Sequence, residues 1–242
     1  MKLVRAHHQA IWKILEGLDR SFLQKHNILF GGGTRIAMEL DEYRESVDLD
    51  LFCCGREAYR AARSSIVNHK SFGSLFQAGR APALFQGREI RVDRDAIRSM
   101  LEVDGRPIKF EIIHFDNDDI TADSDHDFFP VPAVSRESCF ATKLLANADR
   151  HRDGLKDIAD LCMMRRVWGD VPAAAWKAAF DRYGEQVIMT TLRQALKRLT
   201  ASPKQSIDVL VNHMKIEQQL AEVLVKEAAQ DWLHNHIFTN QP

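Results

Sequence analysis

Apolar positions recur at helical spacing over residues 6–25, where Ile11, Ile14, Leu15, Leu18 and Phe22 form one stripe, and the pattern predicts an amphipathic helix. The short apolar run "NILF" follows and reads as a buried strand leading into Gly31-Gly32-Gly33. "TRIAMEL" then reads as a helix with Thr34 as its N-cap. "VDLDLF" alternates strictly, which predicts a strand with Val47, Leu49 and Leu51 on the core side and Asp48 and Asp50 on the other. Residues 56–69 return to helical spacing. "AIRSMLEV" and "RPIKFEIIHF" flank Asp104-Gly105, a dipeptide that favours a β-hairpin turn.

Past the hairpin the pattern fades. Residues 116–127 hold six aspartates and few apolar residues, which predicts a solvated loop. An EF-hand reading of that loop fails, because Thr121 stands where the motif needs glycine and Asp127 where it needs glutamate. "FFPVPAV" reads as an extended linker, since Pro130 and Pro132 discourage helix. Beyond it the periodicity is helical throughout, over about 136–149, 155–167, 172–182, 185–199 and 205–230. The expected architecture is α+β: a mixed-sheet domain over 1–130, then an all-α helical domain over 135–242.

Composition adds constraints. The chain has 242 residues, 45% hydrophobic and 28% charged, with a formal net charge of −1, so no strong overall field draws it to nucleic acid or membrane. The first half carries 18 Lys and Arg against 21 acids, the second 15 against 13, the sign expected if the helical half helps hold a polyanion. Cys53, Cys54, Cys139 and Cys162 form no CxxC pair, which suits a reducing compartment. No signal peptide and no apolar run of membrane-spanning length stand out, so the expected location is cytoplasmic with no membrane partner. His7-His8 and His234-x-His236 lack zinc spacing with cysteines, so surface or core roles are expected for them.

The chemistry concentrates between residues 30 and 52. Consecutive glycines let backbone N–H groups turn into one concavity, and a helix starting there adds its own unpaired N–H groups. Gly32, Gly33 and Thr34 thus make a candidate phosphate cradle, with the Thr34 hydroxyl at its rim. It is neither a Walker A loop nor a dinucleotide fingerprint, because both spacings fail. Asp48 and Asp50 share one strand face and would repel each other without a cation between them; Mg²⁺, hard and readily shared with substrate phosphates, suits the pair. A third carboxylate would complete a two-metal site. Glu111, in the apolar strand "IKFEII", is the first candidate and Asp93 the rival.

This ordered set resembles the DNA polymerase β-like nucleotidyltransferase superfamily, whose pattern is GG[ST], a helix, an hDhDh strand and a third acidic strand. Within it the chain is similar to the AbiEii/AbiGii toxin nucleotidyltransferases, which carry an Arg-x-Ser ahead of the aspartates, here Arg44-Glu45-Ser46. They also carry a helical lysine followed by a basic-acid pair; "ATKLLANADRHRDGLKDIADL" supplies Lys143 and Lys156-Asp157. The resemblance implies transfer of NMP from an NTP with Mg²⁺ (or Mn²⁺), by a toxin of a type IV toxin–antitoxin system with an antitoxin encoded nearby. It implies metal ligands Asp48, Asp50 and Glu111, nucleotide contacts from Gly32, Gly33, Thr34, Arg44, Ser46 and Lys143, a catalytic set of Asp48, Asp50, Lys143 and Asp157 in which Asp157 orients the acceptor or acts as base, and an acceptor that is a tRNA 3′ end or a protein. The chain departs from the pattern in its extra glycine, Gly31, and in a short helical half.

The second segment reads compatibly from its residues. Phe140, Leu144 and Ala148 stripe one helix with Lys143 beside them, so the lysine stem can lie on apolar surface while its ammonium extends into a cleft. Asp157 and Asp160 share a helix face and pair equally well with surface cations such as Arg150 or Lys156. Seven Lys and Arg against five acids between Arg136 and Arg166 would serve an RNA acceptor. The alternative function is a nucleotide-binding module of the same fold that has lost catalysis; the presence of every expected acid speaks against it.

Overall fold

The computed structural model describes residues 3–115, 120–124 and 128–235. The chain divides into two compact units, Met1–Ser135 and Arg136–Pro242. Residues 116–119 and 125–127 of the aspartate-rich segment, and His236, lie outside the described residues.

The first unit begins with α1 (Ala6–Gly17) and α2 (Arg20–Lys25). The single helix expected over 6–25 breaks at Leu18 and Asp19. Leu18 is extended, the Asp19 N–H is taken by the Leu75 carbonyl at 2.9 Å, and the Asp19 carboxylate accepts the Phe22 N–H at 3.1 Å as a new N-cap. Next come β1 (Ile28–Gly31), α3 (Gly32–Glu39), β2 (Asp48–Cys54) and α4 (Arg56–His69), the last with the bounds expected. Two short strands that the pattern did not announce, β3 (Ala83–Leu84) and β4 (Arg91–Val92), precede the hairpin β5 (Ala96–Val103) and β6 (Arg106–Phe115). Its turn has positive φ at both Asp104 and Gly105, the conformation that matches the strand twist.

The sheet order is β1-β2-β6-β5-β3, with β4 also on β5. β2 runs parallel to β6 and every other pair is antiparallel, so the sheet is mixed. Leu49, Leu51, Phe110 and Ile112 face a core that includes Ile11, Ile14 and Leu15 of α1 and Ala62 and Ile66 of α4. Val47 does not join them. The strand starts at Asp48, and Val47 stays in the preceding loop, 40% exposed.

"FFPVPAV" is not a linker. The Phe30 N–H donates to the Pro132 carbonyl at 2.8 Å, the Val134 N–H donates to the Phe30 carbonyl at 2.9 Å, and Phe129, Val131 and Ala133 are buried. The proline-spaced segment covers the outer edge of β1, which satisfies backbone groups that an edge strand would expose.

The second unit is helical: α5 (Arg136–Arg150), α6 (Lys156–Trp168), α7 (Ala173–Tyr183), α8 (Glu185–Ala201), α9 (Pro203–Met214), α10 (Gln218–Val223), a π-turn at Leu224–Ala228 and α11 (Ala229–Asn235). The one helix expected over 205–230 is interrupted where Lys215 adopts φ +57° and the Glu217 carboxylate caps the Leu220 N–H at 3.1 Å. No helix among the described residues is long and apolar enough to cross a membrane.

Candidate active site

The glycines sit where β1 turns into α3. Gly31 is the extended N-cap, and the helix starts at Gly32 rather than after Thr34. Gly32 has φ +72°, and a Cβ there would stand 2.0 Å from Asp50 Oδ2. Gly31 lies opposite Asp50 in the β1–β2 register, and a Cβ at Gly31 would meet the Phe52 ring at 2.6 Å. The absence of side chains at Gly31 and Gly32 is therefore what lets β2 bring its aspartate against the turn.

Thr34 is not at a rim. It is 1% exposed, its hydroxyl donates to the Asp48 carbonyl, and it lies 2.8 Å from the Ser46 hydroxyl. Arg44 and Ser46 are buried too. The Arg44 guanidinium donates to the Gly33 carbonyl at 3.2 Å, to the Glu45 carbonyl at 2.9 Å and to the Tyr43 hydroxyl at 3.2 Å. These three side chains brace the glycine turn and the start of β2 from behind.

Sequence reasoning missed the group that anchors this brace. His8 is 0% exposed; its Nε2 accepts the Ser46 N–H at 3.1 Å, so Nδ1 carries the proton and donates to Glu42 Oε1 at 2.8 Å. Glu42 in turn accepts the N–H groups of Val4 and Arg5. Burial pulls the His8 pKa below its ordinary value; Glu42 opposes that, and Arg5 and Arg44 assist it. The available signal was that His8 falls on the apolar stripe of α1, three and seven residues before Ile11 and Leu15. Asp41 and Glu42 both hold positive φ near +54°, which no sequence feature announces.

On β2, half-buried Asp48 and Asp50 alternate with core-facing Leu49 and Leu51. Across the parallel pair Asp48 lies opposite Lys109 and Asp50 opposite Glu111. The Glu111 carboxylate accepts from Arg98 Nε at 2.7 Å and from the Lys109 ammonium. Burial would lower the Lys109 pKa, but the hydrogen bond to Glu111 and the charges of Glu111, Asp48 and Asp50 raise it. Asp93 stands apart: it accepts the backbone N–H groups of Asp95 and Ala96 at 2.9 and 2.8 Å, and pairs with Arg98. Those backbone bonds, then Arg98, hold its carboxyl below the usual range. Of the two candidates, only Glu111 lies in register beside Asp50.

No three His, Cys, Asp or Glu side chains among the described residues are already gathered as ligands to one ion. The donor chemistry nonetheless fits a hard divalent cation: two carboxylates on one strand face, a third on the neighbouring strand, and room in the shell for substrate phosphate oxygens. Mg²⁺ commonly takes one or two protein carboxylates and fills the rest with phosphate and water.

In the helical unit the Lys143 ammonium does not extend into a cleft. It is buried between α5 and α6, paired with Asp157 at 2.8 Å and with fully buried Asp160. Arg150 completes the cluster with two bonds to Asp157, at 2.6 and 3.0 Å. Burial alone would push the Asp157 carboxyl up; Lys143 and Arg150 outweigh it and hold it below the usual range. Asp160, which sequence reasoning ranked as a surface partner, is instead the most deeply buried member of the cluster. Cys53, Cys54, Cys139 and Cys162 are all buried free thiols.

A mixed sheet bearing a glycine turn, a helix starting within it, and two aspartates on the next strand beside a third acid defines the polymerase β-like nucleotidyltransferase fold. The family described as nucleotidyl transferase AbiEii toxin, type IV toxin–antitoxin system, matches residues 13–234, and the chain belongs to it. The protein is thus a nucleotidyltransferase of a toxin family. No curated protein matches the chain. Among solved structures, JHP933 from Helicobacter pylori is similar over 94% of this chain and 90% of its own, at 17% identity and a TM-score of 0.49. A provisionally assigned H. pylori nucleotidyltransferase is similar over 94% and 93%, at 14% identity and a TM-score of 0.49.

Proposed function

We propose that the protein moves NMP from an NTP to an acceptor hydroxyl, on tRNA or on protein, and releases pyrophosphate. The observation that carries this reading is the register that sets Asp50 beside Glu111 while Asp48 shares the face and Gly32 closes against Asp50. Residues 1–130 form the catalytic domain in this reading and 135–242 the helical domain. Asp48 and Asp50 hold the cation, with Glu111 as third ligand through the oxygen that Lys109 gives up. The backbone N–H groups of Gly32 and Gly33 receive phosphate oxygens at the N-terminus of α3. Thr34, Arg44 and Ser46, buried behind that turn, keep it in shape rather than touch the nucleotide.

Mg²⁺ or Mn²⁺, when bound, supplies charge neutralisation for the leaving pyrophosphate and acidifies the acceptor hydroxyl. Lys143, buried and held by Asp157 and Asp160, ties α5 to α6 rather than reaching the triphosphate that the family pattern assigns to it. Asp157 holds that ammonium and, with its depressed pKa, is a weak base; it positions rather than abstracts. An antitoxin encoded nearby and a cytoplasmic location follow from the same reading.

The test incubates the protein with each labelled NTP, MgCl₂ and total cellular RNA or protein, then follows label into macromolecules. Incorporation that requires the divalent ion and the Asp48 carboxylate supports the reading. Nucleotide binding with no incorporation into either pool favours the non-catalytic binding module.

A further inference from the structure

The acids of β2 and β6 already have a cation. Lys109 is opposite Asp48, its ammonium bonds Glu111, and its charge also acts on Asp48 and Asp50. We propose that Lys109 is an exchangeable internal counter-ion, which balances the acidic row until the divalent ion arrives with its nucleotide and then gives way. This rests on the reading of Asp48, Asp50 and Glu111 as metal ligands.

The two cations on Glu111 are not equivalent. Arg98 is anchored: it also pairs with Asp93, whose carboxylate is fixed by the Asp95 and Ala96 N–H groups. A guanidinium held by two carboxylates has little freedom to leave. Lys109 has a flexible four-carbon stem, and the partner its ammonium bonds is Glu111. Lys109 is the cation that can swing out. A free divalent ion must displace an ammonium from Glu111 and gains only its own coordination. A divalent ion bound to NTP brings a triphosphate, which gives the displaced ammonium a new anionic partner. The metal therefore binds weakly alone and well as the metal–nucleotide complex.

The full chain is titrated with Mn²⁺ alone, and free Mn²⁺ is read by electron paramagnetic resonance. Lys109→Met should bind Mn²⁺ about tenfold tighter than wild type, because a positive charge beside the site is gone. Lys109→Arg should stay near wild type. With a non-hydrolysable NTP present, the advantage of Lys109→Met should shrink or reverse. Equal or weaker Mn²⁺ binding by Lys109→Met, or tightening by Lys109→Arg as well, overturns the proposal. Lys109→Gln repeats the measurement should the methionine variant not fold. Asp48→Asn in the Lys109→Met background separates the two levels: loss of Mn²⁺ upholds the ligand assignment, while undiminished Mn²⁺ binding refutes both that assignment and the counter-ion proposal.

Discussion

Asp50 and Glu111 face each other across the parallel pair β2 and β6, while the Asp50 carboxylate packs against the Cα of Gly32. One aspartate thus joins the backbone turn to the second acidic strand. Glu111→Gln should lower NMP transfer by on the order of a hundredfold, since a charged metal ligand is worth several kcal/mol in the transition state. Asp93→Asn should leave transfer within a few-fold of wild type, because Asp93 reaches Glu111 only through Arg98. Steady-state rates of the two variants decide between them, and the opposite order would reassign the third carboxylate.

Gly32→Ala should unfold more readily than an ordinary glycine substitution. Gly79 has a similar φ of +74° with nothing within 4 Å of its would-be Cβ, so Gly79→Ala pays only for the left-handed backbone, about 1–2 kcal/mol. Gly32→Ala adds the collision with Asp50, about 1–3 kcal/mol more. Urea unfolding of both variants measures the difference, and equal losses would mean that the Asp50 contact is loose.

The His8 bridge sets a pH dependence. Its folded-state pKa is depressed, so the neutral form stabilises the fold, fully above the ordinary value of 6.5, and that contribution is lost as the pH falls below it. Protonation turns the Nε2 acceptor into a donor facing the Ser46 N–H. Melting temperature should therefore drop in wild type as the pH falls below about 6.5. His8→Gln should be less stable at neutral pH and should flatten that drop. An unchanged slope in the variant would remove His8 as its cause.

The Lys143 cluster should behave as a coupled unit. Lys143→Met leaves Asp160 charged and fully buried with its nearest cation gone, at a cost of about 3–5 kcal/mol. Asp160→Asn in the same chain should return part of that loss, and a double-mutant cycle should show coupling above about 1 kcal/mol. Additive losses would contradict the pairing. Asp157, with its depressed pKa, contributes stability above its unfolded value of 3.8, and this is lost as the pH falls through the lower folded-state value.

Much of the site was legible because it rests on short-range rules. Alternation along "VDLDLF" and "IKFEII" placed three acids on one face, and the Asp104-Gly105 turn announced the hairpin that carries Glu111. What the pattern could not supply was long-range. Arg98 meets Glu111 only through strand register, whereas Lys109 stands two residues from Glu111 on the same strand. His8 reaches Ser46 across 38 residues of chain, so its role looked like that of any histidine on an apolar stripe. The break at Lys215 comes from a left-handed residue and the Glu217 cap, with no proline or glycine there to mark it, whereas Gly17 and the capping Asp19 do mark the break after α1. Thr34 carried the right residue type for a phosphate rim, but its neighbour Ser46 and the Asp48 carbonyl claim the hydroxyl.

The most direct measurement is pyrophosphate release from NTP with Mg²⁺ and a competent acceptor pool, wild type against Asp48→Asn, with circular dichroism to show that both are folded. Release by wild type, reduced at least about a hundredfold in the folded variant, is the result this account predicts. Equal release by the two would contradict it.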